Sequence, residues 1–297
     1  MTDLANPVIR SFFDEATNTV TYLVIDPATS EAAIIDPVLD YEPRLGKIST
    51  ASADKVLEAI AEENVTVKWI LETHAHADHL TAAQYLKSKT GAQIGIGTHI
   101  DDVQNIFDPI FDIKVKKTGR AEFDHRFSDG EIFYIGKLNV EVLATPGHTP
   151  ACNSYKIGDN IFVGDTLFMP DYGTARTDFP GGDARTLYRS IKRLLAFPAN
   201  TRIWLCHDYK AQGRDEFKWE TTVGEERQHN IHIHDGINED EFVKMRETRD
   251  ATLAAPVLLL PSIQVNVHAG HLPEASDNGK RYVKIPLSMN EDLDKIL

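Results

Sequence analysis

The sequence predicts an α+β chain in which two β-sheets pack face to face with helices outside them, an αββα sandwich. Three observations predict it. Short apolar runs rich in β-branched residues come in groups, amphipathic stretches separate the groups, and several runs end directly in histidine or aspartate. Thr19 to Ile25 reads as a strand, and Ala32 to Ile35 as the next, ending at Asp36-Pro37. Ala53 to Glu63 is an amphipathic helix with Val56, Ile60 and Ala61 on one face. Val65 to Leu71 is a strand again, and Leu80 to Lys89 a helix whose C-terminus Gly91 caps. Further strands are expected at Gln93 to Ile96, Glu131 to Ile135, Leu138 to Leu143, Asn153 to Ile157 and Asn160 to Val163. A helix from Ala184 to Leu195 precedes the strand Arg202 to Cys206. Beyond about His229 the pattern weakens: Glu239 to Arg249 reads as helical, and Ala255 to His268 as an apolar segment punctuated by proline.

A chain of 297 residues buries a full core, either as one large domain or as a domain with an extension. We expect a catalytic domain over residues 1–230 and a C-terminal extension over 231–297 that packs on it. The formal net charge of -14 argues against a nucleic-acid backbone or an anionic membrane as the main partner. Only two cysteines occur, Cys152 and Cys206, which fits a reducing cytoplasm rather than a disulfide-stapled secreted chain. No signal peptide and no bilayer-spanning apolar stretch is expected.

Chemistry concentrates after the strands. His74, His76, Asp78 and His79 fall within six residues, directly beyond Val65 to Leu71. Imidazole and carboxylate suit zinc, iron and manganese, and a loop lets alternate residues converge on one point. Three more strand ends lead to ligand types: Thr145-Pro146-Gly147-His148-Thr149, Gly164-Asp165-Thr166 and His207-Asp208-Tyr209. A single histidine after a strand is more often structural than a ligand. Together these segments supply three further ligands to the same sheet edge.

HAHADH, TPGHT, VGDTLF and the histidine of CHDY, in that order, resemble the metallo-β-lactamase superfamily over residues 15 to 230. The resemblance implies that His74, His76 and His148 face a first metal position and that Asp78, His79 and His207 face a second, with Asp165 between. Flavodiiron oxygen reductases are set aside, since they typically carry Glu where this chain has His76. Two families remain. Glyoxalase II, a binuclear zinc or iron thioester hydrolase, is one, and two metals there would activate a bridging water. The bacterial persulfide (sulfur) dioxygenases are the other, and the chain resembles these more: Ala175-Arg176-Thr177-Asp178-Phe179 stands where glyoxalase II tends to show Gly-Arg-Phe-Phe-Glu. The runs Gly181 to Tyr188, His207 to Tyr209 and Thr222 to Arg227 are also similar to the dioxygenases. That resemblance implies one Fe(II) per chain on His74, His148 and Asp165, a facial triad with open positions. His76, Asp78, His79 and His207 would then orient the ligands through hydrogen bonds, or hold a second metal. It also implies glutathione persulfide and O2 as substrates, sulfite and glutathione as products, and a homo-oligomer, a dimer in the simplest case.

Glutathione persulfide carries two carboxylates, so its pocket needs local positive charge. Arg176, Lys210 and Arg214 lie in sequence near the metal loops and are the candidates, against the plainer reading of solvated surface cations. Arg176 has a further structural reading, a pair with Asp178 or a loop carbonyl. Tyr209 matches a family position from which its hydroxyl could reach substrate. Cys152 and Cys206 read better as small buried apolar residues than as sulfur carriers. His99, His125, His229, His232, His234, His268 and His271 match no family role, and His232-Ile233-His234 reads as polar loop rather than metal motif. Leu258 to Gly270 resembles the tail of the bacterial dioxygenases, and its apolar run must be covered, by the main domain in the reading preferred here.

Overall fold

Alternation along the strands decides which layer each side chain enters. The structure, a computed structural model, describes residues 6–113 and 122–288. In chain order its strands begin with β1 (Val8–Asp14), β2 (Thr19–Asp26), β3 (Glu31–Ile35), β4 (Val38–Glu42), β5 (Lys47–Ser49), β6 (Thr66–Leu71) and β7 (Leu80–Thr81). They continue with β8 (Gln93–Gly97), β9 (His125–Phe127), β10 (Ile132–Ile135), β11 (Leu138–Ala144) and β12 (Asn153–Ile157). The last are β13 (Asn160–Phe162), β14 (Arg202–Trp204) and β15 (Glu220–Thr222). The helices are α1 (Ala51–Glu62), α2 (Ala83–Thr90), α3 (Ile100–Ile110), α4 (Ala184–Leu194), α5 (Val223–His229), α6 (Glu239–Asp250) and α7 (Leu259–Asn266).

The strands form two six-stranded mixed sheets, ordered β1-β2-β3-β6-β8-β9 and β10-β11-β12-β13-β14-β15, with a small sheet β5-β4-β7 at the margin. Strand β2 is buried along its whole length, so its apolar residues serve two faces. Val20, Tyr22 and Val24 enter the space between the sheets with Val140, Val142, Tyr155 and Phe162. Leu23 and Ile25 point the other way, to a core shared with Val56 of α1, Leu86 of α2 and Val103 of α3. On the far side, Ile161 and Ile203 of the second sheet pack under Leu187, Ile191 and Leu194 of α4. The three cores are the gaps of the αββα sandwich the patterning implies.

The expected elements appear within a residue or two of their predicted limits, with one internal correction. Leu80 and Thr81 are not helical; they pair with Leu39 and Val38 of β4 as the short strand β7, and the helix starts only at Ala83. Gly91 does cap it, with φ 73° and its N–H on the Lys87 carbonyl. Strands β1, β4, β5, β9 and β15 and helices α3, α5 and α7 were not read from the sequence. The segment after His229 lies on the sandwich: Phe242 of α6 joins the core under α4, and Ile263, Val265, Val267 and Ala269 join the core under α1 and α2. Burying each of the larger three contributes about 1.5–3 kcal/mol, which covers the apolar run. Among the described residues no helix is long and apolar enough to cross a membrane.

Candidate metal centre

Parallel strand β6 sits inside the first sheet, and the chain leaves its C-terminal end into residues 72–79. Asp36, just past β3 and held at φ 50°, anchors this loop. Its carboxylate accepts the Thr73 N–H at 2.7 Å and the Thr73 hydroxyl at 2.9 Å. It also faces His76 Nε2 at 3.0 Å. On the other side Asn266, from α7, donates its amide to the carbonyls of His76 (2.8 Å) and His79 (2.7 Å) and accepts the Thr81 N–H at 2.9 Å. The loop is thus gripped from both ends of the sequence, and His74, His76 and His79 are essentially without solvent contact.

Three other strand ends deliver the remaining groups. Past β11, Gly147 takes φ 140°, and a Cβ there would fall 2.4 Å from Leu187 Cα, so only glycine lets the loop lie on α4. His148 follows, and its Nδ1 donates to the Arg176 carbonyl at 2.8 Å, which leaves Nε2 facing the centre. Past β13, Gly164 at φ 51° passes against Thr73 and presents Asp165. Past β14, His207 donates Nδ1–H to the Asn18 carbonyl at 3.1 Å, again freeing Nε2. The carbonyl that orients His148 is itself fixed: buried Arg246 of α6 bonds Asp250 and the Thr174 carbonyl, while Asp250 accepts the Thr177 N–H at 2.8 Å. Helix α6 therefore positions His148 through the 174–177 strap.

All seven sequence-predicted groups converge. Ligand atoms of His74, His148 and Asp165 lie within 4.8 Å of one another, as do those of His76, Asp78 and His79. Asp165 spans the cluster, with Oδ2 at 4.0 Å from His74 Nε2 and 3.7 Å from His148 Nε2, and Oδ1 at 3.3 Å from His207 Nε2. His207 Nε2 is also 3.4 Å from Asp78. Buried polar atoms normally find partners, yet His74 Nε2, His76 Nδ1, His79 Nε2, His207 Nε2 and Asp165 Oδ1 have no hydrogen-bond partner among the described residues. Imidazole nitrogens and carboxylate oxygens left bare around one point are what a bound cation would satisfy, so the residues fit a metal. Their electrostatics agree. Burial, then the neighbouring histidines, holds His74 and His79 below the ordinary imidazole range, so they stay neutral. Burial is the largest single influence on His207 and His76 and lowers both, but the surrounding charges and hydrogen bonds, led by Asp78 for the first and Asp36 for the second, together outweigh it and lift both. Those protons leave when a cation binds.

A cavity of about 600 Å³ opens onto this cluster, bordered by Asp78, His148 and Asp165 at its floor and by Phe168, Tyr172, Phe179 and Tyr209 along its walls. That volume suits a small-molecule site. Tyr209 lines it, stacked at 5.4 Å on His207, and burial with the Asp78 and Asp165 charges keeps its phenol protonated and able to donate. Arg176 lines it as well, but its guanidinium is bidentate on Asp178 and bonds the Ala254 carbonyl, the structural alternative weighed from sequence. Arg214 corrects the expectation that it reaches substrate: it is outside the lining, locked between Asp208 and Asp171. Lys210 lies over the Phe217 ring and is also outside the lining. Cys152 is buried, with its thiol pushed up to about 12, and Cys206 is buried against Asp36, so burial disfavours the thiolate at both. His232 accepts the Thr174 N–H, and His268 bridges Glu122 and Asp108. Sequence reasoning missed Asp36, Asn266, Asp250, Arg246 and Arg249, the last two also cavity-lining.

Fold and site together define a metal-binding αββα protein with its ligands on loops at one edge of the sandwich. The chain belongs to the metallo-beta-lactamase superfamily, whose family model matches residues 15–207. It is 50% identical over 290 residues to a probable metallo-hydrolase of Burkholderia pseudomallei, covering 94% of this chain and 98% of that one. It is 50% identical to glyoxylase B2 of Dictyostelium discoideum, covering 90% and 92%. With the mitochondrial persulfide dioxygenase ETHE1 of Bos taurus it shares 30% identity over 81% of this chain and 80% of that one. The crystal structure of ETHE1 from Myxococcus xanthus superposes with a TM-score of 0.71 at 32% identity, covering 89% of this chain and all (100%) of that one.

Proposed function

We propose that the protein is a mononuclear non-haem Fe(II) persulfide dioxygenase, converting glutathione persulfide, O2 and water to glutathione and sulfite. One observation carries the reading: His74, His148 and Asp165 form a compact two-histidine, one-carboxylate set, and His148 and Asp165 border an aromatic-walled cavity. The similarity to persulfide dioxygenases and the run Ala175 to Phe179 support it. Iron held by these three residues would supply the redox chemistry that combines O2 with sulfur.

The chain's residues supply the rest. The Arg176 carbonyl keeps His148 in the tautomer that presents Nε2. Phe168, Tyr172 and Phe179 exclude water beside the reacting sulfur, and the protonated Tyr209 hydroxyl, which has no partner among the described residues, is free to donate to it. A cytoplasmic location is part of this proposal, and the two free cysteines are compatible with its reducing conditions.

A second reading, a binuclear thioester hydrolase of the glyoxalase II kind, has its own observation. His76 Nδ1, His79 Nε2 and His207 Nε2 remain bare after the triad is assigned, and two zinc ions would take them. Metal analysis with an oxygen electrode decides. About one iron per chain with oxygen uptake and sulfite release on glutathione persulfide is expected; two zincs with hydrolysis of lactoylglutathione would replace this reading by the second.

A further inference from the structure

Three cations line the cavity, and two of them are already spoken for. Arg176 gives its guanidinium to Asp178 and the Ala254 carbonyl. Arg246 gives its own to Asp250 and the Thr174 carbonyl. Arg249, one turn further along α6, is exposed and lines the cavity, and its guanidinium has no hydrogen bond or ion pair among the described residues. The lining also carries the carboxylates of Glu42, Asp78 and Asp165, in a chain of net charge -14. Among the described residues Arg249 is the one lining guanidinium with no carboxylate partner, so it is the one an anionic substrate can pair with at no cost to another ion pair. Depth orders the ends: Asp165 and His148 are buried at the floor, whereas Arg249 and Val257, the latter 88% exposed, are the exposed part of the lining.

We infer that Arg249 is the carboxylate-recognition residue of the site. It holds a substrate's carboxylate at the cavity mouth while the sulfur end reaches the metal centre, and so selects charged thiol substrates over neutral ones. The inference rests on the proposed thiol-persulfide chemistry for the identity of the ligand, but not on its turnover. A guanidinium forks onto a carboxylate with two parallel bonds, which an ammonium cannot reproduce. Helix α6 then has two tasks from one stripe: Arg246 and Asp250 set the strap that orients His148, and Arg249 meets the substrate.

The test is a titration calorimetry series with S-methylglutathione, a thioether that cannot be oxidised as a persulfide. The ligands are the free diacid and its diester, the proteins wild type, Arg249→Met and Arg249→Lys. Between a few-fold for an exposed ion pair and about a hundredfold for a buried charge-assisted bond, we expect R249M to weaken binding of the diacid about tenfold. R249K should recover part of that loss, higher salt should narrow the gap, and the diester should bind wild type and R249M alike. Thermal midpoints should be unchanged, since the guanidinium has no hydrogen bond or ion pair to lose among the described residues. Equal affinity of wild type and R249M for the diacid, absent binding included, overturns the inference, as does the same loss with the diester. The two proposals fail separately. Arg249-dependent binding without oxygen uptake sinks only the dioxygenase reading, and oxygen uptake with an unchanged KM for glutathione persulfide in R249M sinks only this one.

Discussion

Replacing Asn266 by alanine should detach the C-terminal segment from the metal loop. Its side chain, 3% exposed, makes three bonds to that loop: 2.8 Å to the His76 carbonyl, 2.7 Å to the His79 carbonyl and 2.9 Å from the Thr81 N–H. A typical intramolecular bond contributes about 1 kcal/mol net, and a buried group left bare costs about 1–3 kcal/mol. Three such groups give an expected loss of about 3–5 kcal/mol, a large part of a domain's usual 5–15. Stability alone would not separate positioning from packing, so Gln264→Ala is the control. Gln264 is also buried on α7 and also makes three bonds, but to Leu260 and Lys284, away from the loop. Denaturant titration should show both variants destabilised. Equilibrium dialysis against iron or zinc should show weaker metal binding in N266A only. Equal metal affinity in wild type and N266A, or an equal loss in Q264A, would refute the positioning argument.

Three further expectations use other parts of the site's support. Glu226 is buried, with Oε2 on the Asn230 amide and Oε1 bare, and burial pushes its carboxyl up to about 8 against 4.5 unfolded. The folded chain therefore holds an extra proton across that window, so this group's contribution to stability is fully present below about pH 4.5 and is lost as pH rises towards 8. Glu226→Gln should flatten this slope, read as thermal midpoints from pH 5 to 9, and an unchanged slope would contradict the assignment. Gly147→Ala forces a Cβ into Leu187 at a φ that side chains avoid, and should cost about 2–4 kcal/mol with loss of bound metal. A variant as stable as wild type would show that the loop moves freely off α4. Asp250→Asn removes the charge that Arg246 pairs with and weakens the hold on Thr177; kcat should fall about tenfold or more with little change in KM, and the reverse split would place Asp250 in substrate binding instead.

The strand-end ligands were legible because each lies within a few residues of a run whose periodicity is its own evidence. HAHADH follows β6, TPGHT follows β11, and the fold needs only to bring the ends together. The groups that hold those ligands in place were not legible for a physical reason. Asp36 and Asn266 act on the loop from 37 and 185 or more positions away, mostly through backbone N–H and C=O groups that every residue offers. Asp250 likewise grips a strap 73 positions distant. Nothing local marks such an acceptor, and a lone Asn in an apolar helix reads as an anomaly rather than an anchor. Arg214 erred the opposite way: proximity in sequence to His207 suggested substrate, but two carboxylates beside it claim the guanidinium first. Helix α3 did carry a signal, Ile100, Val103 and Phe107 at helical spacing and all buried, which the acidic residues between them obscured.

How many ions the centre holds turns on an account of bare nitrogens. One ion on His74, His148 and Asp165 satisfies His74 Nε2 and one Asp165 oxygen. Three ring nitrogens stay, on His76, His79 and His207, each buried and unpartnered. Leaving three buried groups bare costs several kcal/mol, so something occupies them: water bridging to Asp78, or a second ion. His207 separates the two cases. Its Nδ1 is held by Asn18 and its Nε2 faces Asp78 and Asp165 without belonging to the triad. If water bridges, His207→Ala should still bind about one iron per chain, with its affinity lowered about 10- to 100-fold as for other orienting residues. His148→Ala should bind none. A wild type that takes up two ions and a His207→Ala variant that retains one would instead make His207 a ligand in its own right, and the centre binuclear.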